Sequence, residues 1–163
     1  MSSGRRDFHE SLPRKRMGAG VVFVDSASRV LLVHPTYKPT WELPGGAVED
    51  RESPRAAAQR EVREELGLEI DLGPMICVDY NASTTDYLES LMFLFAGPQL
   101  TAQQEAAIRL PDDELSEWRW CDMSDAMSLL ADRVGRRLAT CVDGDSFSTG
   151  AYLEEQTVVT GDD

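Results

Sequence analysis

Cysteine is scarce in this sequence. Cys77, Cys121 and Cys141 are odd in number and far apart, with no CxxC pair and no histidines at zinc-finger spacing. That pattern argues against a disulfide framework or a structural zinc site, and the three read as reduced packing residues. Long apolar runs are missing too. Nothing approaches the ~18–20 residues of a membrane helix, so no membrane span is expected. The opening stretch MSSGRRDFHESLPRKRM carries Arg and Lys but no apolar segment or small-residue cleavage site behind them. It does not read as a secretory signal, and the cytoplasm is the expected compartment. Basic side chains are outnumbered, 16 against 29 acidic ones, for a formal charge of -13. Such a surface repels a phosphate backbone, so a nucleic-acid polymer is not an expected partner.

What is present suits a single domain. A chain of 163 residues, 42% hydrophobic and 28% charged, can bury roughly two-thirds of its unfolded surface. Charge is uneven along it. Residues 1–16 hold Arg5, Arg6, Arg14, Lys15 and Arg16 against Asp7 and Glu10, a segment charge of +3, which leaves -16 for the remainder. Residues 1–16 are therefore expected to form a basic, flexible arm, residues 17–142 the folded domain, and residues 143–163 a loose acidic tail.

Within the folded part, GAGVVFVD and RVLLVHP predict a β-hairpin around SAS. TYKPTWELPGGAVED, with two prolines and Gly45–Gly46, predicts a loop able to approach a ligand closely. Ser53 as cap, Pro54 in the first turn, strong helix formers and Gly67 as the stop define a helix between them. EIDLGPMICVDY, DYLESLMFLFAG and ELSEWRWCD read as strands, residues 98–113 as a long loop, and MSDAMSLLA and DRVGRRLATCV as helices.

The chemistry concentrates on the Ser53–Gly67 helix. At about 100° per residue, Glu61, Glu64 and Glu65 share one face, Ala58, Val62 and Leu66 form an apolar stripe opposite, and Arg60 and Arg63 are expected to project elsewhere. Like charges at this spacing repel by a few tenths of a kcal/mol per pair, so the cluster calls for a cation. Magnesium suits it, taking oxygen ligands from carboxylates and substrate phosphates. Periodicity alone also allows an ordinary solvated helix face.

The full spacing says more. Gly46, five residues, Glu52, seven residues, then Arg60-Glu61-Val62-x-Glu64-Glu65-x-Gly67-Leu68 resembles the Nudix box of MutT-like hydrolases at every defining position. LPGG leading into the box and an EWRW-type strand after it resemble the same family, over about residues 17–140. The resemblance implies an α/β (α+β) fold with a mixed β-sheet sandwiched between helices. It implies Mg2+-dependent (or Mn2+-dependent) hydrolysis of a diphosphate in a nucleoside diphosphate linked to another moiety, by metal-activated water attacking phosphorus. Glu61, Glu64 and Glu65 would be metal ligands, with Glu52 and the carbonyl of Gly45 completing or supporting the set. Arg60 would orient Glu61, and Gly46 and Gly67 would permit two tight turns. The general base would be a box glutamate or a downstream acid, Glu114 before Asp112, Asp113, Glu117 or Asp86.

Other residues carry alternatives. Trp41 and Tyr37 flank the Gly-rich loop and could stack on a base or simply pack. His34 reads as a packing residue, and Trp118 and Trp120 share one strand face, as core or interface residues do. Asp143, Asp145 and Glu154 fit three positions of a calcium loop, but Phe147 and Ser148 occupy places needing a ligand and a glycine, which rejects that site. The family also includes a diphosphate isomerase, disfavoured because Cys77 and Cys121 have no acid-base partner, and ligand-sensing modules, which tend to lose the glutamates retained here. Substrate signatures do not fit: the position fifteen past Leu68 is Ser83, Tyr80 and Tyr87 are out of register, and no SQPWPFPxS-like stretch follows. A small nucleotide-like substrate is the expected partner, with a homodimer possible through the basic arm or the WRW strand.

Overall fold

The computed structural model describes Phe8, residues 10–144 and residues 146–160. Half of the basic arm, Arg5 and Arg6 included, lies outside the described residues, as does Asp145.

The chain runs β1 (Arg16–Val22), β2 (Val30–Pro35), β3 (Gly45–Ala47), α1 (Pro54–Leu66), β4 (Met75–Asn81), β5 (Ser90–Ala96), α2 (Ala102–Ala107), β6 (Leu115–Cys121), α3 (Met123–Leu129), α4 (Asp132–Cys141), β7 (Val142–Asp143), β8 (Ser146–Phe147), β9 (Ala151–Glu154) and β10 (Thr157–Val158). Six strands form one mixed sheet in the order β10-β9-β4-β5-β1-β3, while β2 and β6 pair separately. The β1/β5 and β4/β9 pairs are parallel and the others antiparallel.

Two apolar layers hold this together. Ala19, Val21, Phe23 and Phe95 pack with Ala57, Ala58, Val62 and Leu66 of α1. On the other side Val22, Leu94, Ala96 and Leu153 pack with Ala126, Leu138 and Cys141 of α3 and α4. The β2 strand serves both, Leu31 and Val33 in the first layer and Val30 and Leu32 in the second. A strand covered on both faces reads as the continuous apolar run VLLV rather than an alternation. All three cysteines are free and buried, as expected of packing residues. No described helix is long and apolar enough to cross a membrane.

The helix α1 follows its sequence signals closely. Ser53 accepts a hydrogen bond from the Ala56 N–H at 3.2 Å, Pro54 opens the first turn, and Gly67 closes the helix at φ 70°. Only a residue without a Cβ takes that left-handed turn cheaply.

Four expectations need correction. The two segments flanking SAS pair antiparallel only at the turn, through the Val24–Val30 bridge and the Leu31 N–H donating to the Phe23 carbonyl at 3.2 Å; beyond it the expected hairpin does not continue, since β1 lies between β5 and β3 and β2 turns away to pair with β6. The chain bends at Asp25, whose Oδ1 accepts from the N–H groups of Ala27 and Arg29. Within the predicted Gly-rich loop, Gly45–Ala47 forms an edge strand on β1. The predicted loop over 98–113 contains α2, started by a capping box between Thr101 and Gln104, a signal that the two prolines around it masked. The tail expected to be loose from Asp143 instead supplies β9 beside β4, with Leu153 fully buried. Small polar residues conceal this strand, which is stabilised by its neighbour's apolar face rather than by local propensity.

Candidate functional site

The edge strand β3 and the helix α1 bring the box residues together. In β3, Gly45 sits at φ 150° opposite Gly20, and a Cβ there would fall 2.4 Å from the Ala19 carbonyl oxygen. At Gly46 a Cβ would fall 2.4 Å from Glu61 Oε1. Gly46 does not have positive φ. The expectation that it permits a tight turn is thus corrected: the glycine makes room for the Glu61 carboxylate.

Arg60 organises the acids. Its Nη1 donates to Glu61 Oε1 at 2.8 Å and to Glu64 Oε2 at 2.9 Å. Its Nε and Nη2 donate to the two oxygens of Glu52 at 3.0 and 3.1 Å, and Nη2 also reaches the Ala47 carbonyl at 3.0 Å. The expectation that Arg60 and Arg63 point away from the acids fails for Arg60, because a long side chain reaches back to Glu52 and along to Glu64. Arg63 does turn outward, toward Glu69 at 3.7 Å. Donating to Glu52 above all raises the Arg60 pKa, and accepting from Arg60 lowers that of Glu52.

Glu65 is different. It is buried, and its Oε2 accepts from the Gly45 N–H at 2.8 Å. No cationic side chain among the described residues pairs with it. Burial pushes its pKa up to about 8, with Glu61, Glu114 and Glu42 adding to the rise and the Gly45 hydrogen bond opposing it. Burial also raises Glu61, against the pull of Arg60.

Glu114, just before β6, is exposed, yet its charge is felt by both Glu61 and Glu65. Asp112 and Asp113 are exposed beside it, Glu117 pairs with Arg119 at 2.7 Å, and Asp86 lies in an exposed turn of its own. Trp41 does not meet the stacking expectation. Its ring is 5% exposed, stacked on His34 at 4.8 Å with the Arg119 guanidinium 4.2 Å from its centroid, so no face is open to a base. Tyr37 is exposed beside Lys38. Trp118 and Trp120 meet edge to face at 6.5 Å against the α1 layer.

Among the described residues, no three His, Cys, Asp or Glu side chains already converge as a closed ligand set. The carboxylates stand around Arg60 rather than around one point. That arrangement fits magnesium, which takes one or two protein carboxylates and draws its other ligands from water and phosphate. Glu65, buried without a cation, is the side chain such an ion would most directly satisfy.

A feature not anticipated from sequence is a cavity of about 420 Å3 lined by Gly45 and Gly46 together with residues of β1, β5 and α4. Gly18 and Gly20 alternate along its floor. Glycines two apart within an apolar strand are the signal that could have found it, since they mark a close approach.

A family model described as the NUDIX domain matches residues 14–140. The chain belongs to the NUDIX domain family. This NUDIX chain is 36% identical over 103 residues to a MutT-like protein of Streptomyces ambofaciens, covering 61% of the chain and 65% of that relative. It is 37% identical over 54 residues to an RNA pyrophosphohydrolase of Pseudomonas paraeruginosa, covering 33% of the chain and 34% of the relative. The NUDIX chain thus spans less than two-thirds of the length of either relative. A MutT NUDIX hydrolase structure from Burkholderia pseudomallei shares its fold, with a TM-score of 0.62 and 23% identity over 75% of this chain and 94% of that one.

Proposed function

We propose that the protein is a Mg2+-dependent NUDIX pyrophosphohydrolase that cuts the diphosphate of a small nucleoside diphosphate derivative. The observation that carries this reading is Glu65, a buried carboxylate without a cation, beside Glu61 and Glu64 on one helix face. Glu61, Glu64 and Glu65 would hold the ion, with Glu52 and the Gly45 carbonyl in support. Bound there, magnesium would neutralise diphosphate charge and acidify water. Mn2+ satisfies the same oxygen donors.

The chain's own groups do the positioning. Arg60 fixes Glu61 and Glu64 before substrate arrives, which removes the cost of orienting them during the reaction. Glu65 pins β3 through the Gly45 N–H, so that the glycine backbone stays within reach of the acids. Glu114 is the favoured general base: exposed and within the field of Glu61 and Glu65, it can take the proton of the attacking water. One relative is named for action on RNA, yet a charge of -13 favours a small substrate here.

The test is release of phosphate or nucleoside monophosphate from nucleoside triphosphates, ADP-ribose, dinucleoside polyphosphates and nucleotide sugars, with Mg2+, Mn2+ or EDTA. Cleavage of one class that EDTA abolishes is expected. Silence across the panel from folded, metal-binding protein rejects the proposal.

A further inference from the structure

Cys77 lies in β4 and Cys141 closes α4, and both are buried, at 0% and 1% exposure. A polar network beside them sets their positions. Arg137 Nε donates to Asp79 Oδ2 at 2.7 Å, and its Nη2 donates to Asn81 Oδ1 at 3.3 Å. Gln156 braces both partners, its backbone N–H reaching Asp79 Oδ1 at 3.1 Å and its Nε2 reaching Asn81 Oδ1 at 2.9 Å. All of these side chains are buried. A buried ion pair adds little net stability over an apolar pair of the same size, so such a network serves to fix a geometry.

What it fixes is the alignment of α4 on β4. Arg133, one turn before Arg137, lies over the Tyr87 ring at 5.7 Å, past the C-terminal end of β4, so helix and strand run in opposite directions. Arg137 and Cys141 are one turn apart, about 6 Å along the helix. Asp79 and Cys77 are two residues apart on one face of the strand, about 6.6 Å. Joining Arg137 to Asp79 therefore carries Cys141 over Cys77. The two thiols share a hydrogen bond inside the apolar layer of Ile76, Leu138 and Leu153. That bond, with help from Arg137, holds the Cys141 thiol below its ordinary pKa despite burial, and it pushes Cys77 up.

Cys141 also borders the surface. Beyond it the chain forms the hairpin β7–β8, two residues to a strand, and the Ser148 N–H returns to the Cys141 carbonyl at 2.9 Å. A ladder that short is marginal on its own and opens at little cost. A hollow of about 280 Å3 is lined by Cys141, Val142, Phe147 and Ser148, several times the ~30 Å3 share of one water molecule. A small oxidant thus has a path to one member of the pair. Cys121 belongs to the same apolar layer, but burial above all governs its thiol and raises its pKa. It serves as an internal control.

We propose that Cys77 and Cys141 form a peroxide-responsive dithiol, a modification site that closes to a disulfide and staples α4 to β4. The Cys141 thiolate attacks one oxygen of a hydroperoxide. The O–O bond breaks, water or an alcohol leaves, and Cys141 becomes a sulfenic acid. Cys77 then gives up its proton and attacks that sulfur, so that an S–S bond forms, the S–O bond breaks and water leaves. Two electrons pass from the thiols to the peroxide. An external dithiol reverses the step by exchange. The site uses none of the acids around Arg60 and does not depend on the hydrolase reading.

The experiment treats the folded full chain with hydrogen peroxide, blocks the remaining thiols with iodoacetamide in urea, and maps the peptides by mass spectrometry. The expected product is lighter by two hydrogens, carries a Cys77–Cys141 link with Cys121 alkylated, and returns to free thiols in dithiothreitol. Before reduction it should melt about 10 °C higher, because the link closes a long loop. In Cys77→Ala the sulfenic acid should accumulate on Cys141, where dimedone traps it, while Cys141→Ala should leave Cys77 largely unreacted. Circular dichroism checks that both variants fold, and the native peptide map decides the matter without them. A link through Cys121, oxygenated cysteines with no link, or thiols that react only once urea unfolds the chain would overturn the proposal. So would equal trapping in the two variants, or a linked protein that melts lower.

Discussion

Glu65 accepts a hydrogen bond from the backbone N–H of Gly45 at 2.8 Å, twenty residues earlier in the chain, and so ties the acidic helix to the edge strand. The same burial that permits this contact raises the Glu65 pKa to about 8, from 4.5. Between those values the folded protein keeps a proton that the unfolded chain has lost. The carboxyl's contribution to stability is therefore full below about pH 4.5 and is lost as pH climbs to 8. In EDTA, native protein should lose melting temperature relative to Glu65→Gln across that window. Mg2+ should then stabilise native protein more at pH 8 than at pH 5, since a cation favours the ionised form. Parallel melting curves for the two proteins would contradict this.

Arg60 joins three carboxylates, Glu52, Glu61 and Glu64. Arg60→Met leaves them facing one another without a cation and should cost about 1–3 kcal/mol in urea denaturation. Added Mg2+ should recover part of that loss. No change in midpoint would mean that the acids reorient freely into solvent.

Gly45 and Gly46 should fail differently. Gly46→Ala drives a Cβ into Glu61 without demanding an unusual backbone, so the fold should survive while turnover falls about 100-fold, the penalty of displacing a catalytic group by an ångström. Gly45→Ala meets the Ala19 carbonyl at positive φ and should lower the melting temperature. Glu64→Gln provides the reference, with turnover lowered by orders of magnitude and circular dichroism unchanged. Normal turnover in that variant would remove Glu64 from the site.

Leu153 tests the C-terminal strand. It is fully buried among α4 and β4 residues, so Leu153→Ala should cost about 2–5 kcal/mol. Exposed Val158→Ala should stay within about 0.5 kcal/mol. Equal small effects would show that β9 contributes nothing to the folded state.

The sequence was legible where signals are local. Ser53, Pro54 and Gly67 mark both ends of α1, and the spacing of Glu61, Glu64 and Glu65 places three acids on one face before any tertiary contact is known. It was opaque where a residue's meaning depends on a distant partner. The apolar runs of β1 and β2 look like one long hairpin, though they pair only beside the turn, because nothing local says which sheet each will join. Trp41 looks available to a base until His34 and Arg119 close over it. Asp79 interrupts a strand and Arg137 sits in a helix, and only the topology makes them one network.

That network also orders events during synthesis. Asp79 is committed to a buried position, yet its partners follow 58 and 77 residues later, at Arg137 and Gln156. At ribosomal speeds the wait for Gln156 is on the order of ten seconds. Throughout it, the side of β4 that β9 will cover is an open sheet edge with a carboxylate awaiting its counter-charge. A stall between those two codons would present that edge to neighbouring nascent copies, making the translation of the last strands the stage at which this chain is most exposed to misassembly.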